Sequence, residues 1–210
     1  MIYIEYISRR PGVDLREFHE TVLRGQAGWS ESYTEDRLLW HAARTFRLGP
    51  EPEYITVWDS PDAGLERIDA WDRIFRAGEA HSYEGPARQV ARIDVAGCYE
   101  ALLEPVPAHD GTYYAEFFRA RGERAAIRAL YEQRVERHPR LTLNLLAHRI
   151  GRLGPEPGGV AVWTIPDFAA LTEIAEELDG AIGAAGAAGG GSPVELLAAG
   201  TYTDIGREIL

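Results

Sequence analysis

The chain has 210 residues, 45% of them hydrophobic and 26% charged, with a formal net charge of -11. That balance supplies apolar surface for a packed core and excludes an intrinsically disordered chain, while the acidic charge argues against nucleic acid, whose phosphates need a concentrated cationic face. All 22 basic residues are arginine and there is one cysteine, so lysine Schiff-base chemistry, an internal disulfide and a thiolate zinc site are excluded.

In chain order, Ile2 to Ser8 reads as a strand and Leu15 to about Gly25 as a helix with Phe18 and Val22 on one face. Leu38 to Phe46 is a second strand, and a Gly-Pro turn leads to a short third one, Tyr54 to Trp58. Pro61-Asp62 opens a helix carrying Leu65, Ile68, Trp71 and Phe75 at helical spacing, and Val90 to Tyr99 ends the module. The same order then returns. Arg47-Leu48-Gly49-Pro50-Glu51-Pro52 recurs as Arg152-Leu153-Gly154-Pro155-Glu156-Pro157, Val57-Trp58 as Val162-Trp163, Pro61-Asp62 as Pro166-Asp167, and Ala96-Gly97-Cys98-Tyr99 as Ala199-Gly200-Thr201-Tyr202. Tyr3-Ile4-Glu5-Tyr6 corresponds to Tyr114-Ala115-Glu116-Phe117, and Phe168 to Leu178 supplies the second helix of the second half. The modules are expected at 1-104 and 112-210, joined by a linker at 105-111. Gly183 to Gly191 is a Gly/Ala run that reads as a loop, with a lid over a pocket as its functional alternative.

The chain is expected to be soluble and cytoplasmic, because it lacks the run of about 18 apolar residues of a membrane helix and opens directly on a strand pattern. A βαββαβ module forms a four-stranded antiparallel sheet with both helices on one face. The expected class is α+β, two ferredoxin-like modules whose sheets pack face to face as a barrel closed within one chain, leaving a monomer or a helix-mediated dimer. The element order, the tryptophan ending each third strand and the Pro-Asp before an amphipathic helix resemble the dimeric α/β-barrel superfamily, with a NIPSNAP-like character. That resemblance implies no fixed catalytic signature; such proteins include cofactor-free monooxygenases, polyketide cyclases, lactone isomerases and haem enzymes.

Strand alternation separates two rows of side chains. The aliphatic row, with Ile2, Ile4 and Tyr6, is expected under the helices. The other row then faces the interior: Glu5, Glu116, His41 and His148 as the catalytic candidates, with Tyr3, Tyr114, Asn144, Trp58, Trp163 and Thr56 binding substrate. His19 is expected to be partly buried structure, His138 and the Glu173, Glu176, Glu177 face to be solvated, and Cys98 to act as a small apolar residue.

These residues suit an enzyme acting on an aromatic or polyketide-like molecule, with a histidine or glutamate as general base for cyclisation, isomerisation or oxygenation, and with no cofactor. The alternatives are haem or a divalent transition metal held by His41, His148, Glu5 and Glu116, and a binding protein without catalysis. In each case the partner is a small molecule, with neither nucleic acid nor membrane.

Overall fold

The computed structural model describes residues 1-32, 36-45, 52-60, 66-67, 69, 89-107, 111-150, 157-174, 177 and 192-205. The expected helix with Leu65, Ile68, Trp71 and Phe75 and the Gly183 to Gly191 run lie outside these residues, save helical positions 66, 67 and 69. The chain divides into two compact units, the first of Met1–Ala43, Glu51–Cys98 and Asp204–Leu210, the second of Arg44–Pro50 and Tyr99–Thr203.

In the first unit, β1 (Ile2–Arg9) leads through Pro11 and Gly12, whose φ of 83° suits glycine, into α1 (Leu15–Ser32). Asp14 starts that helix: its Oδ1 accepts from the Arg16 and Glu17 amides at 2.9 and 3.3 Å, satisfying donors that the first turn leaves open. β2 (Arg37–Arg44) and β3 (Tyr54–Asp59) follow, with β3 antiparallel between β1 and β2. β3 is buried at all six positions, as its β-branched and aromatic sequence YITVWD requires of a central strand. β4 (Ala91–Ala101) begins beside the end of β1, where the Arg10 amide and Nε donate to Val90 and Ala91 carbonyls at 2.8 and 3.0 Å. Phe18 and Val22 of α1 pack on Ile7, Tyr54, Val90 and Ala91.

The second unit repeats the plan with β5 (Thr112–Ala120), α2 (Arg124–Arg137), β6 (Thr142–Arg149), β7 (Gly159–Ile165) and β8 (Val194–Asp204). Its strands pair antiparallel in the order β8, β5, β7, β6, the arrangement of a ferredoxin-like sheet, and Tyr99 to Ala101 of β4 pair with β6. Ile127 and Tyr131 of α2, with Ala170 and Ile174 of the following helical turn, cover Tyr114, Phe118, Leu146, Ala161 and Trp163. Among the described residues no helix is long and apolar enough to cross a membrane. The expected α+β class and antiparallel ferredoxin-like pairing are found.

Candidate functional site

Residues paired across antiparallel strands share a face, so the register locates each candidate. In the first unit Glu5, Thr56 and His41 stand side by side on β1, β3 and β2. Tyr3 and Leu38 flank Trp58 in the neighbouring rank, and Ile7 and Ala43 flank Tyr54. Phe18 of α1 packs on Tyr54 at 4.5 Å between ring centroids, so this row lies under the helix. The expected assignment of faces is therefore corrected: Glu5, His41, Thr56, Tyr3 and Trp58 are on the helix-covered side, and Ile2, Ile4 and Tyr6 are on the other. Both rows are buried, so the hydrophobicity of Ile2 and Ile4 does not identify the helix side.

His41 is fully buried. Its Nδ1 is 2.7 Å from Thr56 Oγ1, either atom serving as donor according to the tautomer, while Nε2 has no partner. Burial first, and the nearby His19 second, lower its pKa to about 3, so the imidazole is neutral. Tyr54 stacks on it at 6.1 Å and shares a 3.0 Å hydrogen bond with His19 Nε2; His19 is half-buried, as expected.

The second unit treats its glutamate differently. Glu116 is fully buried under α2, where Arg134 Nη1 and Nη2 donate to its two oxygens at 2.7 and 2.8 Å and the Tyr131 hydroxyl donates at 2.9 Å. Both carboxylate oxygens are thus occupied by a forked cation, which suits a structural anchor rather than a free base. Arg134 also donates through Nε to Glu177 at 2.9 Å, and its guanidinium lies 5.0 Å from the Tyr131 ring centre and 5.3 Å from that of Trp163. Burial lowers the Arg134 pKa, but the bonds to Glu116 more than offset this and the group stays charged.

Beyond that network lies His138, placed at the C-cap of α2, with its amide donating to the Arg134 carbonyl at 2.9 Å. It is 7% exposed and bonds Glu177 through Nε2 at 3.0 Å, whereas Nδ1 meets Glu173 at 3.8 Å, beyond hydrogen-bond reach. Burial raises the Glu177 pKa, but hydrogen bonds from Arg134 and His138 prevail and hold the carboxyl below its ordinary range. The expectation that His138 and Glu177 are solvated is corrected. A readable signal existed: Ile127, Tyr131 and Arg134 make an i, i+4, i+7 buried stripe, in which an arginine occupies a core position.

Tyr114 and Trp163 pair across β5 and β7 on the helix side, as Tyr3 and Trp58 do in the first unit. His148 shares that side, paired with Gly159, and its Nδ1 has no partner; burial and then Arg124 lower its pKa. Asn144 departs from the row. A bulge between Leu143 and Leu145 frees it from the ladder, and it joins the opposite face, accepting from Thr164 Oγ1 at 2.7 Å and donating to the Val106 carbonyl at 3.1 Å. Cys98 is buried, and burial pushes its thiol up to about 11, in keeping with an apolar role. Among the described residues no group of three or more His, Cys, Asp or Glu could hold a metal ion, so the expected His41, His148, Glu5 and Glu116 ligand set is not assembled there.

No family model matches the chain. No curated protein matches it significantly either. Solved structures do. A haem-binding protein from Thermus thermophilus is 10% identical with a TM-score of 0.57, over 97% of this chain and 90% of that one. A chlorite dismutase mutant from Candidatus Nitrospira defluvii is 8% identical with a TM-score of 0.54, over 99% and 92%. A candidate monooxygenase from Lactobacillus acidophilus NCFM is 9% identical with a TM-score of 0.51, over 97% and 92%. These likenesses are of fold, and each spans nearly the whole chain. The expectation that no cofactor is involved is overturned by this comparison, since a haem-binding protein of this fold matches nearly the whole chain.

Proposed function

We propose that the chain is a small-molecule enzyme or binder that carries haem, which His138 would hold, with chemistry of the monooxygenase kind. The observation that carries this reading is the hydrogen bond from the buried His138 to the partly buried Glu177. Haem iron is commonly held by an imidazole, and a carboxylate bound to the other ring nitrogen fixes the orientation of that ring. His138 fits that arrangement with Nε2 anchored on Glu177, while Nδ1, 3.8 Å from Glu173, makes no hydrogen bond among the described residues. His41 has only a hydroxyl behind it, and His148 is opposed by the nearby Arg124 charge. Arg137 and Arg140, both half exposed at this end of the second unit, already pair with Glu177 and with Asp167 and Glu173, and would hold haem carboxylates only by exchanging those partners. The donor set therefore fits haem. The bound group would supply one-electron and oxygen chemistry; the chain's part is to orient the imidazole through Glu177 and to fix Glu177 through Arg134.

Hemin added to the full chain should give a Soret band with His138-dependent intensity. His138→Ala should abolish or shift that band, and Glu177→Gln should raise the reduction potential of the bound iron by weakening the ligand. Indifference of hemin binding to both substitutions would sink the assignment.

A second reading rests on His41. With Thr56 accepting from Nδ1, its Nε2 is a bare proton acceptor in the first unit, with Glu5 two strands away in the same rank. His41→Gln would then lower turnover of a substrate that must lose a proton while leaving the hemin spectrum unchanged. We also take the two units to be tandem copies, supported by the matching Tyr3–Trp58 and Tyr114–Trp163 registers.

A further inference from the structure

Three polar side chains of the second unit stand in one rank on its helix-covered face: Trp163 on β7, Tyr114 on β5 and Thr201 on β8. Three adjacent strands span two inter-strand steps, or about 10 Å, within reach of one small molecule. Trp163 is fully buried, Thr201 is 4% exposed and Tyr114 is 8% exposed, yet Trp163 Nε1 and Thr201 Oγ1 have no hydrogen-bond partner. Natural cores satisfy the great majority of such atoms, and each one left unmet forfeits its hydration without return, so two in a single rank call for a reason.

The charges nearby are already committed. Arg134, which lies over the Trp163 ring, is neutralised by Glu116 and Glu177. Burial, and secondly Glu116, raise the Tyr114 pKa, so its phenol keeps its proton. What remains is an indole N–H and two hydroxyls with no unspent full charge beside them, and Tyr114 and Trp163 belong to an apolar cluster with Phe118, Ile127 and Ala161. Such a set does not suit phosphate or a dicarboxylate, which need cations; it suits one ligand oxygen that is neutral or carries a delocalised single charge.

We infer that Trp163, Tyr114 and Thr201 form a binding subsite for the carbonyl or phenolate-type oxygen of a small aromatic ligand, inserted between the sheet and the helices of the second unit. The sequence repeat puts Cys98 where the second half has Thr201, and a thiol is a weaker donor, so the first unit does not duplicate the set. This subsite uses groups separate from the haem assignment, although the Trp163 ring lies beside Arg134, which fixes the Glu177 that bonds His138.

The test uses the full chain and p-nitrophenol, whose absorption reports whether it is bound as phenol or phenolate. Wild type should bind it saturably, with a phenol–phenolate balance that differs from free solution and with a shift of the Trp163 indole resonance. The Trp163→Phe, Thr201→Val double variant should bind at least tenfold more weakly, and Thr201→Val alone should bind measurably more weakly. Without ligand, Thr201→Val should be as stable as wild type or more so, because it deletes an unmet polar group at constant volume. The inference is overturned if wild type does not bind the probe, if the double variant binds it equally well, or if Thr201→Val is destabilised in the absence of ligand, which would mark the rank as the seat of a structural water. His138→Ala should leave this binding intact, so loss of the haem reading and loss of this one are distinguishable.

Discussion

His41 gives the sharpest residue-scale expectation. In the unfolded chain its imidazole takes a proton near 6.5, whereas the folded group takes one only at about 3. Folding therefore gains from the neutral ring above pH 6.5, and that contribution is lost as pH falls from 6.5 towards 3. The urea midpoint should drop between pH 7.5 and pH 4.5, and His41→Gln should flatten part of that drop; an identical slope in the variant would show that His41 does not carry it. Arg134 makes the opposite point. Arg134→Met leaves Glu116 buried without its cation and should cost about 3–5 kcal/mol in urea unfolding, while adding Glu116→Gln should restore most of the loss. A cost below about 1 kcal/mol would mean that the pair is not what holds α2 to its sheet. The burial of Glu116 could be read from its central strand; its partner left only a weak signal, an arginine that continues the Ile127 and Tyr131 stripe, because an arginine there resembles one facing solvent.

At the scale of elements, alternation separated the strand rows but misassigned Asn144, and the cause is a pair of bulges. Register shifts fall between Leu38 and Trp40 and between Leu143 and Leu145, the same place in both units, and each sets one residue out of phase. A bulge leaves no mark in the hydrophobic pattern, so the row containing Asn144 and His148 in the sequence is split in the fold. Strand packing also explains Gly159. A Cβ there would lie 2.2 Å from Phe118 Cε2 and 2.9 Å from the Ala147 carbonyl, so β7 needs glycine where the Phe118 ring crosses it. Gly159→Ala should destabilise the chain by about 1–3 kcal/mol, and Phe118→Leu should recover part of this in the double variant; additive losses would mean that the ring and the strand are not in conflict.

For the whole molecule, the repeated order of strands and helices was legible because it recurs in register with the Arg-Leu-Gly-Pro-Glu-Pro and Val-Trp segments. The proposed haem ligand was not, because a single histidine ligand has no spacing to recognise and the chain offers six; haem stood among the alternatives, but with His41, His148, Glu5 and Glu116 as the ligands. The repeat sets the expected division at 105-111, whereas the packing assigns Asp204 and the residues after it to the first unit. One bond makes this concrete: the Ile205 amide donates to the His41 carbonyl at 2.9 Å, and Ile205 packs on the cluster around Phe18 and Tyr54. A fragment of residues 1-104 would contain β1, α1, β2 and β3 but lose that bond and that apolar cover. It should unfold at a lower urea concentration than the intact chain, and its His41 should titrate nearer to 6.5 as water reaches the ring. If the fragment keeps the intact midpoint and a neutral His41 at pH 4.5, the first module is complete at residue 104, and Ile205 contributes nothing to the burial that sets the histidine's charge.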